Sequence, residues 1–223
     1  MLRQILADIL KGDTARNAEP TRNSVASRPR VLNVGGGSKT IPIGAHYADW
    51  EHVLADVDPR GGPDIVCDAR KLDSLEPAQF DAVYCSHNLE HYYAHDGSRV
   101  LHGFRHVLKD DGFAEIRVPD LISVMQRALD ARLDLDDVLY QSAAGPIAVI
   151  DVIYGFRKEI EQSGKDYYAH KTGFSAASLE GTLRRAGFDP VYVFPSPAAF
   201  EVRALAFRTT PTSAQRQLLR LPG

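Results

Sequence analysis

The chain has 223 residues, of which 44% are apolar and 25% are charged, and its formal net charge at pH 7 is −3. This length predicts one domain with room for an insertion, and the composition excludes disordered and fibrous classes. No apolar run approaches the roughly 20 residues that a membrane-spanning helix needs. The acidic middle of the chain argues against binding to nucleic-acid phosphates. Without a signal-peptide pattern, and with only two cysteines, both in apolar runs, we expect a cytoplasmic protein with reduced thiols.

Residues 1–30 are predicted to form an amphipathic helix and a polar linker, because apolar residues at helical spacing give way to a polar, proline-containing run. Short apolar runs then alternate with helical or turn-rich stretches, including a helix predicted over residues 98–109. Strands that alternate with helices indicate an α/β fold, a parallel sheet covered on both faces. The predicted strands are 30–34, 52–57, 64–67, 80–85 and 113–118.

The end of the domain is expected to differ from the rest. Ser175 is predicted to cap a helix that stops at Gly187. Two strands follow, at 188–194 and 200–207, and the loop between them is too short for a crossover helix, so they are expected to pair antiparallel. Residues 209–223 carry arginines and no acidic residue, and a flexible tail is expected there.

A segment of about residues 130–173 fits neither pattern. It is rich in tyrosine and also carries His170 and Lys171. Long insertions in compact domains are often lids or binding loops, and a packed helical appendage is the alternative. We expect a lid or substrate-binding insertion here, with His170 near the substrate.

Residues 31–37 indicate a strand that runs into three glycines, Gly35, Gly36 and Gly37. Without Cβ atoms, this backbone can turn tightly and approach a ligand closely. A phosphate-binding P-loop is excluded because serine and asparagine occupy the positions of its two glycines. A dinucleotide site is disfavoured because Thr40 replaces its third glycine and a proline interrupts the helix that would bind pyrophosphate. The third ligand considered is S-adenosylmethionine, which has no phosphate.

Acidic residues at the ends of the next two predicted strands suit this ligand. Asp56 comes 19 positions after Gly37 and suits the ribose hydroxyls, with Asp58 as the close alternative. Asp68 follows the third strand and is placed to border the adenine. Because open parallel sheets bind ligands at the carboxyl ends of their strands, we expect these side chains at one edge.

Successive motifs resemble those of a known family, the class I S-adenosylmethionine-dependent methyltransferases, and most closely a type-11-like bacterial group. The resemblance covers about residues 31–120. In chain order the motifs are VLNVGGG at 31–37, LADVDP at 54–59, DIVCD at 64–68, FDAVYCSHNLEH at 80–91 and FRHVLKDDGF at 104–113.

This resemblance implies a methyltransferase domain over residues 31–208, with a Rossmann-like seven-stranded sheet, an antiparallel C-terminal hairpin and helices on both faces. It also implies S-adenosylmethionine as the cofactor. Where the family usually has an acidic residue, this chain has Asn33, which can form hydrogen bonds but brings no charge to the cofactor's ammonium group. The expected cofactor-binding residues are Asn33, Gly35, Gly36, Gly37, Asp56, Asp68, Ala69 and Ser86.

A histidine-rich segment, residues 85–95, follows the fourth predicted strand. Its H-x-x-E-H pattern matches a zinc-protease motif, but that site needs a helix and a third ligand, so no metal is expected. The histidines could instead bond to backbone at a turn. Alternatively, one of them serves as general base for a hydroxyl acceptor, with His87 as first candidate and His91 as second. Tyr92 and Tyr93 are expected to shape the acceptor pocket.

The predicted activity is methyl transfer to a small-molecule or glycan-type acceptor, driven mainly by alignment of donor and acceptor. Three alternatives stay open at this point. One is a methyltransferase-like module that binds the cofactor without chemistry, which Asn33 keeps open. The other two are an NAD-dependent enzyme and a metal site at the H-x-x-E-H pattern.

Overall fold

The computed structural model describes residues 28–222. The predicted N-terminal helix and most of its linker lie outside these residues. Within them, no helix is long and apolar enough to cross a membrane. Cys85 is buried, Cys67 is half-buried, and both are free thiols.

A seven-stranded sheet forms the centre of the fold. Its strands follow the order β3-β2-β1-β4-β5-β9-β8, and only β9 runs against the others. This arrangement confirms the predicted sheet with its antiparallel C-terminal hairpin. The strands are β1 Arg30–Val34, β2 Glu51–Asp56, β3 Ile65–Val66, β4 Phe80–Ser86, β5 Leu108–Pro119, β8 Val191–Ser196 and β9 Glu201–Phe207.

Helices cover both faces of the sheet. On one face, α1 (Ala94–Val107) and α5 (Ala176–Arg185) bury Phe104 and Leu179 against Leu32 and its neighbours on the strands. Successive strand residues point to opposite faces, so Val31 contributes to a second cluster on the other side. Helix α5 begins at the predicted cap, where the Ser175 side chain accepts a hydrogen bond from the Ser178 backbone N–H.

The C-terminal residues differ from the predicted flexible tail. Residues Ser213–Leu219 form a helix, α6, which Thr212 caps by accepting a hydrogen bond from the Gln215 backbone N–H. Leu219 is buried in the second cluster beside Tyr47 and Phe207. The prediction of a flexible tail relied on the charge of the segment and did not consider Leu219, whose burial against this face of the sheet holds the helix in place.

The segment of about residues 130–173 lies within a longer excursion of the chain, which leaves the sheet after β5 at Leu121 and returns to it where Phe174 bridges to Asp120. This excursion has a small apolar cluster of its own, centred on Val124 and Val152. Its elements are α2 Leu121–Ala131, β6 Val138–Ser142, β7 Gly145–Ala148, α3 Val149–Tyr154 and α4 Arg157–Ser163.

Candidate active site

A cavity of about 730 Å³ opens at the carboxyl ends of the parallel strands. It lies where the strand order reverses between β1 and β4, the place at which open α/β sheets bind ligands. Eight residues that were predicted as site residues line it, while Asn33, Gly36, Ala69, Ser86 and His170 do not. The eight are Gly35, Gly37, Asp56, Asp68, His87, His91, Tyr92 and Tyr93.

The glycine turn forms one wall of the cavity. Gly35 and Gly37 adopt left-handed backbone angles, with φ of +72° and +67°, which favour glycine. A Cβ on Gly35 would overlap the side-chain amide of Asn88. Gly36 contacts the Asn33 side chain, so it serves the packing of the turn and does not face the cavity.

Asp56, the last residue of β2, holds this turn in place. Its carboxylate accepts a hydrogen bond from the Gly37 backbone N–H at 2.9 Å and a second from the Asp58 backbone N–H at 2.8 Å. Asp58 itself pairs with Arg60, and this contact holds the pKa of its carboxyl group well below the usual range. The two carboxylates expected for the ribose therefore differ: Asp58 already has a cationic partner, and Asp56 binds only backbone donors.

Gly61 also shapes the cavity, and the sequence motifs did not indicate it. It ends the 3₁₀ helix Pro59–Gly61 and lies against the glycine turn. A Cβ on Gly61 would overlap the backbone carbonyl oxygen of Gly37. Two backbone segments thus meet at a distance that only glycine permits.

Asp68 caps the 3₁₀ helix Ala69–Ser74, accepting a hydrogen bond from the Arg70 backbone N–H at 3.0 Å. The Arg70 guanidinium binds the same carboxylate at 2.6 Å, which lowers the pKa of Asp68. Ala69 is buried behind this cap and does not line the cavity.

Asn33 is buried, with its side-chain nitrogen 3.2 Å from Nε2 of His52. Its side-chain oxygen has no hydrogen-bond partner among the described residues. Ser86 ends β4, and neither residue lines the cavity. The sequence placed both close to the site, and the structure puts them behind its wall.

His87 has a left-handed backbone conformation, φ +49°, and both ring nitrogens face carboxylates. Its Nε2 lies 3.2 Å from Glu201 and its Nδ1 lies 3.6 Å from Glu90. Burial lowers the pKa of His87, but the two glutamates outweigh it and raise that pKa to about 9. Carboxylates beside both ring nitrogens favour the protonated form of His87, and this disfavours the residue as the base.

His91 and His170 meet at the same end of the cavity, with ring centroids 4.9 Å apart. Nδ1 of His91 lies 3.2 Å from the Ala169 carbonyl oxygen, and Nδ1 of His170 lies 2.8 Å from that of Val152. A carbonyl oxygen only accepts, so each Nδ1 carries the proton and each Nε2 is left as an acceptor. Burial lowers the pKa of His170, which favours its neutral form.

Residues of the insertion close the other side of the cavity. The Tyr167 hydroxyl donates a hydrogen bond to Asp58 at 3.1 Å, and Arg60 donates one to the Tyr168 hydroxyl at 3.2 Å. Both tyrosines line the cavity, as does Lys171. The tyrosine-rich composition predicted that this segment borders the binding site, but it did not indicate that Tyr167 and Tyr168 are the tyrosines that do so.

Residues 46–116 match the family model for a methyltransferase domain. The matched range contains the ends of β2, β3 and β4 and the histidine segment, all of which contribute to the cavity, while the glycine turn precedes that range. This chain carries a methyltransferase domain. The match confirms the enzyme class that the motifs predicted, a class I methyltransferase of the type-11 kind that depends on S-adenosylmethionine.

Solved structures show the same fold as this methyltransferase. A SAM-dependent methyltransferase from Archaeoglobus fulgidus is 15% identical, with a TM-score of 0.50 and coverage of 81% of this chain and 86% of that one. A possible histamine N-methyltransferase from Thermotoga maritima is 16% identical, with a TM-score of 0.50 and coverage of 83% and 84%. PigF with SAH is 11% identical, with a TM-score of 0.50 and coverage of 82% and 51%. No curated protein matches the sequence.

Proposed function

We propose that this methyltransferase binds S-adenosylmethionine along the glycine turn and Asp56, and methylates a small-molecule or glycan-type acceptor at the histidine end of the cavity. The observation that carries the proposal is the single cavity that joins these two groups of residues. Its volume is within the range of pockets that enclose drug-sized ligands, so the donor would fill much of it. The reactive part of the acceptor must then be small.

The residues present fit the donor. Gly35, Gly37 and Gly61 leave a wall without side chains, Asp56 offers carboxylate lone pairs for ribose hydroxyls, and Asp68 borders the adenine end. When bound, S-adenosylmethionine supplies a methyl group on a positively charged sulfur. The donor is therefore already activated, and what the protein must add is alignment of the acceptor and exclusion of water.

At the acceptor end, the residues that face the cavity are His87, His91, Tyr92 and Tyr93. His87, fixed between two glutamates, is suited to orient a polar acceptor. His91 keeps one ring nitrogen without a hydrogen-bond partner among the described residues, so it can accept a proton or bind a ligand. Tyr93, which is more than half exposed, borders the entrance.

A transfer assay tests the proposed function. The full chain is incubated with methyl-labelled S-adenosylmethionine and with phenols, amines, sugars or transfer RNA. We expect label in at least one small-molecule class and none in the RNA. Binding of S-adenosylhomocysteine without transfer to any small molecule would contradict it and would support the alternative of a module that binds the cofactor without chemistry.

We also propose that residues 130–173, inserted into the domain of residues 31–208, form a lid over the bound donor. The hydrogen bonds that join Tyr167 to Asp58 and Tyr168 to Arg60 support this role, because both partners lie in the turn after β2. The two sides of the cavity would then separate when the donor enters.

If the lid holds the donor, Tyr167→Phe removes one hydrogen bond to a carboxylate and should speed donor release. We expect binding of S-adenosylhomocysteine to weaken by about ten-fold, since a hydrogen bond to a charged group contributes at least about 1.5 kcal/mol. Stopped-flow fluorescence measures the dissociation rate. Tyr154→Phe, at an exposed tyrosine of the same insertion, is the control and should leave the rate unchanged. Equal rates in the two variants would contradict the lid.

A further inference from the structure

Glu90, His91 and His170 form a cluster at the acceptor end of the cavity. One ligand atom from each of the three lies within 4.8 Å of the others. Glu90 is 1% exposed, and neither carboxylate oxygen has a hydrogen-bond partner among residues 28–222. A buried carboxylate without hydrogen bonds is costly, and buried charges are normally paired or bound to a metal ion.

The two imidazoles of the cluster each keep one ring nitrogen available for a metal ion. Backbone carbonyl oxygens hold Nδ1–H of both rings, which leaves each Nε2 free of protein partners among the described residues. Histidines that bind metals generally donate their other ring N–H to a carbonyl or carboxylate, which fixes the tautomer and the ring orientation. The backbone therefore fixes both rings through Nδ1, and Nε2 of each ring is available to bind a ligand.

Backbone contacts bring the third ligand to the other two. The backbone N–H groups of Lys171 and Thr172 both donate to the Glu90 carbonyl oxygen, at 2.8 and 3.1 Å, and so fix His170 beside the 3₁₀ helix Leu89–His91. The nearest cationic group to Glu90 is His87 at 3.6 Å, beyond hydrogen-bond distance, and Glu201 binds the other nitrogen of that ring. Glu90 therefore has a long ion pair with His87 but no hydrogen bond among the described residues, and its carboxylate can still bind a closer partner.

We infer that Glu90, His91 and His170 bind one first-row transition-metal dication. Two imidazoles and one carboxylate suit zinc, manganese or iron better than calcium or magnesium. Metal–ligand distances of about 2.0–2.2 Å require ligand atoms roughly 3.4 Å apart in a tetrahedron, so the ion would draw the cluster together. Three protein ligands leave one coordination position of the ion open. Because His91 lines the cavity, we expect that open position to face the cavity.

This inference rests on the proposed function, since the open position would receive the acceptor. A hydroxyl oxygen that binds the ion becomes more acidic. Its O–H bond breaks, the electron pair stays on the oxygen, and the proton leaves to water. His91 would then act as a ligand, and the ion, in place of a histidine base, would prepare the acceptor for methylation.

Zinc titration tests the site directly. The full chain is stripped with a chelator and titrated with Zn²⁺ by calorimetry, together with the Glu90→Gln, His170→Asn and His95→Asn variants. We expect one Zn²⁺ per wild-type chain and affinity at least about 100-fold weaker in the first two variants. His95, an exposed histidine four residues after His91, is the control, and its variant should bind zinc as the wild type does.

Zinc should also raise the melting temperature of the wild type and of His95→Asn, but not that of the two ligand variants. A wild type that binds no Zn²⁺, or a His95→Asn variant as impaired as His170→Asn, would overturn the metal site. S-adenosylhomocysteine binding is measured on the same samples. A wild type that binds this ligand but not zinc contradicts the metal site alone, whereas loss of this binding contradicts the proposed function.

Discussion

We expect Asp56→Asn to weaken the binding of S-adenosylhomocysteine by about 100-fold. Asp56 is the carboxylate that faces the cavity with backbone donors as its only hydrogen-bond partners among the described residues. A hydrogen bond to a charged group contributes about 1.5–3 kcal/mol, so loss of the charge that would bind the ribose has a large effect. Calorimetry measures the affinity, and thermal melting shows whether the variant keeps its fold.

Asp58→Asn is the matched control for this prediction. Asp58 lies two residues away and also lines the cavity, but Arg60 already occupies its carboxylate. We expect its affinity for S-adenosylhomocysteine to fall by less than ten-fold. A larger loss in Asp58→Asn than in Asp56→Asn would mean that the two carboxylates have been assigned the wrong way round.

We expect Gly61→Ala to weaken the binding of S-adenosylhomocysteine by about 100-fold or more while the protein remains folded. The added methyl group would overlap the Gly37 carbonyl oxygen, and a backbone atom cannot turn aside as a side chain can. The glycine turn must therefore shift by a distance comparable to the overlap. In catalysis, misplacement of a positioned group by about 1 Å can lower the rate about 100-fold, and we expect a loss of at least that size in affinity here.

Gly62→Ala is the control, because it changes the neighbouring glycine. A Cβ there meets no atom within 4 Å, although φ of +66° makes alanine strained at that position. The substitution should lower the melting temperature slightly and leave binding within about three-fold of the wild type. Equal loss of binding in both variants would show that general strain, and not displacement of the glycine turn, is responsible.

The parts of the site that could be predicted from the sequence are those that strand order determines. Gly35 directly follows β1 and Asp56 ends the adjacent parallel strand β2, so recognising the strands was enough to bring the two residues together. The same reasoning failed for Ser86, which ends β4 but lies outside the cavity. A strand end specifies an edge of the sheet, and the local turn decides which side chains reach the ligand.

Contacts between residues distant in sequence explain most of what the sequence could not show. The spacing of His87, Glu90 and His91 suggested either a base or a metal motif, and the choice depends on Glu201 and His170, which are far along the chain. The lack of a helix and of a third ligand was the reason not to expect a metal. In the inferred metal site the third ligand is His170, from the tyrosine-rich insertion, whose fold no local pattern specified.

A crystal structure of the full chain with S-adenosylhomocysteine tests the central claim most directly. The account predicts that the ribose hydroxyls lie within hydrogen-bond distance of Asp56 and that the amino-acid part passes along Gly35 and Gly37. A ligand bound elsewhere, or a cavity without bound ligand at saturating concentration, would contradict it.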